Sequence, residues 1–280
     1  GLLPSVSANG RDSSATSFVM PAAGYVSRGD RLTWGVGMMA QGGMGTEYSD
    51  GSFWGALAPS GAGVLDMAAG GARRNLSEVG VGRVLFPLAY QVSDDLVVGG
   101  SFDYVWAGMD IQWLVDGAHF ADMMGGTRAF GDVSGNMVTT MQGMMGPAGI
   151  RAVGWGYFDF NKDGQFTQKA TGSGYAGNIG FTWKATPRLT FGGVYHARTS
   201  ISDLQTGSGG ATVTFNVDFA GTSQTIPVSG KVNVKNFQWP ETFALGLAWQ
   251  ADDRWLLAAD YKRINWSNTM REFRMVFDAS

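Results

Sequence analysis

Between Val79 and Val92 the even positions read Gly80, Gly82, Val84, Phe86, Leu88, Tyr90 and Val92, and the odd positions read Val79, Val81, Arg83, Leu85, Pro87, Ala89 and Gln91. One side is bulky and apolar, the other mixed. The same division returns after a short break, with Leu96, Val98, Gly100, Phe102, Tyr104 and Trp106 set against Val97, Gly99, Ser101, Asp103, Val105 and Ala107. It recurs from Tyr175 to Lys184, from Leu189 to Arg198, from Phe243 to Gln250 and from Trp255 to Lys262. A period of two places successive side chains on opposite faces of a strand, so these runs predict β-strands. With their neighbours they predict about eight antiparallel strands, near 16–27, 31–43, 77–92, 96–113, 171–184, 188–203, 230–250 and 254–275.

The face that carries the bulk separates the possible β architectures. A soluble sandwich turns its large apolar face to a second sheet and its charged face to water. Here the face opposite the aromatics is Gly, Ala, Ser and Asn with an occasional Arg83, Asp103, Lys184, Arg198, Asp260 or Lys262. That composition suits the inside of a closed sheet, with the apolar face toward lipid and every backbone group satisfied by the ladder. The connections agree. Short turns at Ser27–Asp30, Ser93–Asp95, Ala185–Arg188 and Ala251–Arg254 alternate with long stretches at 44–74, 114–170 and 204–236. Short turns on one rim and long loops on the other are the habit of outer-membrane barrels. Aromatics near the short turns (Tyr25, Trp34, Tyr90, Trp183, Trp249, Trp255) and toward the long loops (Trp106, Trp113, Trp155, Trp239, Trp266) read as two interfacial girdles.

Composition narrows the field further. Charged residues make up only 15% of the 280 residues and the net charge is −3, which argues against a nucleic-acid binder. The absence of Cys excludes disulfides and thiolate metal sites, and two His (His119 and His196) leave little for zinc. The stretch from Val133 to Ile150 is interrupted by polar residues, four Gly and Pro147, so it does not supply the ~20 apolar residues of a membrane helix.

Four stretches resemble the outer-membrane long-chain fatty acid transporter family, the FadL type, which includes transporters of aromatic hydrocarbons. They are FVMPAAGYVSRGDRLTWGVGMMAQGGMGTEY (18–48), PLAYQVSDDLVVGGSFDYVWAGMDI (87–111), TGSGYAGNIGFTWKATPRLTFGGVYHARTSISDL (171–204) and WPETFALGLAWQADDRWLLAADYKRINWS (239–267). The resemblance implies an all-β, transmembrane antiparallel barrel, fourteen-stranded in the family, in the bacterial outer membrane. It also implies an amino-terminal hatch, capture of apolar cargo by outer loops, and release through a gap in the wall. The chain reads as one barrel domain over 1–280, with the hatch, the family's Asn-Pro-Ala signature and the final strands not found in it. The family's kinked wall stretch matches Gln41, Gly42, Gly43 and Gly45, where glycines with no side chain to pack favour a bulge and a lateral opening. Where the family can place a basic residue for a carboxylate, this chain has Ala107, Gly108 and Met109, so an uncharged hydrocarbon is as good a cargo as a fatty acid.

The remaining candidates are local. Phe120, Met123, Met124, Phe130, Met137, Met141, Met144 and Met145 crowd one long loop with few charges. Flexible thioethers adapt to varied apolar shapes, which makes these eight a candidate ligand groove, with a self-contained loop core as the alternative. Asp159, Asn161 and Asp163 with Gly164 imitate half of a calcium loop, but Ala170 stands where the bidentate Glu belongs, so a polar turn is expected. Gly35, Gly37 and Ala40 imitate a dinucleotide fingerprint inside a strand, where it has no helix to open. His196 with Asp203 lacks a nucleophile, so no enzyme and no cofactor are expected. The expected function is passive transport of hydrophobic small molecules among outer-membrane lipid and lipopolysaccharide. A general porin for polar solutes and a soluble β-rich binding protein are the alternatives.

Overall fold

The computed structural model describes residues 12–48, 73–129, 131–161 and 169–280. Among them fourteen strands are joined in one antiparallel sheet. Eight form a continuous wall: β1 (Ala22–Arg28), β2 (Leu32–Tyr48), β3 (Asn75–Gln91), β4 (Leu96–Asp116), β6 (Ala170–Thr186), β7 (Leu189–His196), β12 (Thr242–Gln250) and β13 (Leu256–Ile264). They are the strands that alternation predicts, joined by the four predicted short turns. The expected strand at 230–250 is two strands, because Pro240 has no N–H to donate to a ladder and the chain leaves the sheet between Lys235 and Thr242. The expected strand at 254–275 ends at Ile264, before a short 3-10 turn at Trp266–Asn268.

Five further strands lie within or beyond the stretches read as long loops, and a sixth falls in the expected strand at 188–203, which ends at His196 and resumes only at Ser200–Ile201. At its upper end β4 changes partner: Leu96–Met109 pairs with β6, while Gln112–Asp116 pairs with β5 (Ile150–Asp159). The sheet continues outward through β10 (Ala211–Phe219), β11 (Thr222–Lys235) and β14 (Arg274–Ala279). A short piece, β9 (Leu204–Gln205), pairs with both β11 and β6 and so ties this layer back to the wall, while β8 (Ser200–Ile201) pairs with β6 alone. Two helices, α1 (Gly117–Gly125) and α2 (Asn136–Gly143), cover it. Asp116 caps α1 by accepting from the His119 N–H at 2.9 Å.

The wall turns its bulk outward. Phe86, Phe102 and Phe181 are exposed, Phe102 at 56%, together with Leu88, Ile179, Leu245, Leu247 and Trp249. They do not converge in a core. Phe102 stacks on Tyr175 at 5.3 Å across the β4–β6 ladder, and Trp183 on Phe191 at 5.9 Å across β6–β7. Such a belt is stable only against an apolar solvent, which here is lipid. Among the described residues no helix is long and apolar enough to cross a membrane, and no ladder joins β1 to β13. Two expected girdle residues lie elsewhere. Trp155 is buried in the outer layer, under Arg73 at 4.7 Å, and Trp239 is half-buried on the inner side. Trp155 sits on β5, which is packed from both sides and has no lipid face, and Trp239 sits in the loop that Pro240 turns out of the sheet.

Candidate functional site

The inner side of the wall is zoned. Toward the short turns it is an open trough of about 470 Å³, lined by Gly99, Asn178, Gly180, Gly192, Gly246 and Asp260 among others. These small residues are the polar-side positions of the alternating strands. Midway, a polar belt crosses the interior. The Arg83 guanidinium on β3 donates to the Asp103 carboxylate on β4 at 2.7 Å, and both side chains are almost wholly enclosed. Arg83 Nε also donates to the Gln41 side chain on β2, Ser101 donates to Asp103, and Asn178 donates to Ser101 at 2.6 Å. A buried carboxylate this well partnered satisfies its oxygens and cross-links four strands.

Above the belt the interior is apolar. Val81, Val105, Ala107, Met109, Phe160, Ile201, Leu204, Val232 and Val234 form one buried cluster, with Trp239 and Met270 packed on its margin. Ala107 and Met109, the uncharged positions noted in the sequence, lie inside it. Apolar surface gathered below external loops is a receptive medium for an apolar solute, at ~25 cal/mol per Å² removed from water.

The methionine-rich segment divides in two. Phe120, Met123, Met124 and Met141 are buried with Val213, Phe215 and Val217, so α1 and α2 form a lid on β5 and β10, with Met137 at the margin. Phe120 meets Phe215 at 5.5 Å, and Gln142 donates to the Met124 carbonyl at 3.3 Å, locking the helices together. Met144 and Met145, past the end of α2, are 44% and 47% exposed. Phe130 lies outside the described residues.

The glycine stretch of β2 has unusual pairing. On the β3 side the ladder runs to Tyr48 with one bulge, in which Gln41 is skipped between Ala40↔Gly82 and Gly42↔Val81. The extra residue points its side chain at Arg83, which holds the bulge in place. On the other side the β1 ladder ends at Ala22↔Met39, and the Ala40 N–H donates to the Pro21 carbonyl at 3.0 Å. Beyond that point, Ser14 N donates to the Glu47 carbonyl at 2.8 Å. Among the described residues Gln41–Thr46 has no strand partner on this edge.

Outside the wall, the Asp203 carboxyl is held below the usual carboxylate range by the Lys235 ammonium at 2.7 Å and then by the Asn236 N–H. It therefore does not serve His196. Asp159 accepts from Gln112 Nε2 at 3.0 Å and from the Asn161 N–H at 2.7 Å, the pattern of a polar turn. Asp163 and Gly164 lie outside the described residues, and among those described no group of three His, Asp or Glu could hold a metal ion. Burial and the Asp159 charge push the Tyr157 phenol up to about 12, and its hydroxyl donates to the Arg74 carbonyl at 2.6 Å. Two features escaped the sequence reading. The Arg83–Asp103 pair was visible only as separate inward charges, and the inner position of Trp239 was signalled only by Pro240.

An antiparallel wall with aromatics outside, a zoned interior and an elaborated outer layer defines a β-barrel of the bacterial outer membrane. The sequence matches the family described as outer membrane protein transport protein (OMPP1/FadL/TodX) over residues 5–278, and the chain belongs to that family. It is similar to the crystal structure of the Pseudomonas putida toluene transporter TodX, with 27% identity and a TM-score of 0.74 over 95% of this chain and 58% of that one. The Ralstonia pickettii toluene transporter TbuX has 31% identity and a TM-score of 0.69 over 93% of this chain and 58% of its own. A Pseudomonas aeruginosa FadL homologue shares the fold at 14% identity, with a TM-score of 0.55 over 92% of this chain and 54% of that one. The chain thus spans less than two thirds of these relatives. No curated protein matches it.

Proposed function

We propose that this chain forms one barrel domain of a passive transporter that takes up uncharged apolar small molecules, monoaromatic hydrocarbons foremost, without covalent chemistry. In this reading the exposed Met144 and Met145 meet cargo at the outer rim. Phe120, Met123, Met124, Met137 and Met141 hold the lid beneath them in shape. The uncharged cluster around Ala107 and Met109 receives the solute, and offers a fatty acid carboxylate no partner among its members. The similarity to two toluene transporters favours hydrocarbon over fatty acid.

The solute then leaves sideways through β2 at Gln41, Gly42, Gly43 and Gly45. The observation that carries this is the edge of Gln41–Thr46 away from β3, which has no strand partner among the described residues. Unpaired backbone against lipid costs free energy, and a route for solute is a reason to keep it. The Arg83–Asp103 belt favours the sideways route, because an apolar solute gains nothing by crossing a charged, hydrogen-bonded layer. The test is toluene uptake by cells carrying the full-length transporter with Gly42→Val and Gly43→Val. A several-fold loss with the barrel still folded is expected; full uptake by the folded double variant overturns the lateral route.

A further inference from the structure

The glycine stretch of β2 is not open on its inner side. Gly42 pairs with Val81, whose side chain belongs to the buried inner cluster, so Gly42 faces inward. A Cβ added there would lie 3.2 Å from Cη2 of Trp239 and 3.8 and 3.9 Å from Cζ2 and Cζ3. The outer edge of the indole therefore rests directly on the glycine. The same ring packs against the apolar cluster and meets Trp266 edge-on at 5.7 Å and 63°. It thus stands between the apolar interior and the one edge of β2 that lacks a strand partner from Gln41 to Thr46 among the described residues.

The backbone beneath this ring is pinned. Trp239 N donates to Thr199 Oγ1 at 2.7 Å, and Thr199 N donates to the Trp239 carbonyl at 3.1 Å. Next to it, Gln238 Oε1 accepts from Ile201 N at 2.8 Å and from Thr199 Oγ1 at 3.0 Å, while Gln238 Nε2 donates to the Ile201 carbonyl at 2.6 Å. Pro240 restricts the backbone of the residue before it, which is Trp239. A side chain on a fixed backbone moves by rotamer changes, which are fast and local. Its contacts to Gly42 and Trp266 are the kind an aromatic solute can replace, ring for ring.

From these observations we infer that Trp239 is the gate of the lateral route and sets the size of the apolar solutes that pass. Its indole closes the glycine stretch from inside and swings aside for a planar aromatic that stacks in its place. The inference rests on lateral release through β2.

These 280 residues contain no Cys, so Gly42→Cys introduces the only thiol among them, and its labelling is compared with that of the otherwise unchanged transporter. Its labelling by N-ethylmaleimide in outer membranes reads the cover directly. Labelling is expected to be at least tenfold faster in Gly42→Cys with Trp239→Ala than in Gly42→Cys alone, with Trp239→Phe in between. In parallel, Trp239→Ala in the otherwise unchanged transporter is expected to raise the uptake of naphthalene relative to toluene several-fold. An unchanged labelling rate or an unchanged uptake ratio overturns the gate. The two readings fail separately. If valine at Gly42 and Gly43 blocks uptake while Trp239→Ala alters neither readout, the route stands and the gate falls; if the valines leave uptake intact, the route itself falls and the gate falls with it.

Discussion

Arg83→Met removes the cation from the polar belt and leaves Asp103, 1% exposed, with Ser101 as its remaining hydrogen-bond donor among the described residues. Breaking one side of a buried ion pair costs about 3–5 kcal/mol, because the surviving charge keeps its desolvation penalty without its Coulombic return. The same substitution takes from Gln41 the donor that fixes the β2 bulge. The expected result is a fall in unfolding free energy of about 3–5 kcal/mol, measured by urea titration of the folded protein in detergent with tryptophan fluorescence as the probe. The double variant Arg83→Met with Asp103→Leu removes both charges and fills the space with apolar groups. It is expected to recover most of the loss, as replaced buried pairs commonly do. If Arg83→Met is as stable as the parent, or the double variant is no better than the single, the belt is solvated rather than buried. The argument for a charged barrier inside the barrel then fails.

Two further outcomes follow from the outer layer. Phe120→Ala empties a site that is closed on all sides and should cost about 3–5 kcal/mol, loosening α1 and α2 and exposing the lid to protease. Met144→Ser with Met145→Ser should lower toluene uptake with no change in protease resistance; equal protease sensitivity in both variants would show that the exposed pair is structural after all. Tyr157 offers a pH test. Its folded pKa lies above the unfolded value of 10.0, so the stability its neutral form contributes is fully present below pH 10 and is lost as pH rises toward about 12. Tyr157→Phe should flatten the alkaline decline seen in thermal unfolding between those limits, and an unaltered decline would assign it to other groups.

The wall was legible because lipid and interior impose opposite demands on successive residues. Phe181 beside Gly180, or Phe102 beside Asp103, declares both strand and face at once. The outer layer was hidden for the converse reason. In β10 both faces are buried, so Asn216 is enclosed as fully as Val213 and Val217, Thr214 is buried too, and polarity no longer marks a side. The composition around them, rich in Gly, Ser and Asp, resembles that of loops. Of the candidate site, the glycines of β2 stood out because side chains are missing from a strand that otherwise needs them. What rests on Gly42 could not be read, since Trp239 lies almost two hundred positions away and its neighbours in sequence suggest an interfacial aromatic. The methionine cluster was visible as composition, but composition does not distinguish Met141, which is buried, from Met144, which is exposed.

The change of partner along β4 bears on the order in which the molecule assembles. Registering Met109 with Ala170 directly closes a loop of about sixty residues, whereas once Gln112 has paired with Asp159 only about ten positions separate the two ladders. Loop-closure entropy grows as (3/2)RT ln n, so this sequence of events lowers the cost of seating β6 by about 1.5 kcal/mol. An outer sheet that zips first would thus act as a splint, delivering β6 to the edge of β4 already in register for the second half of the wall.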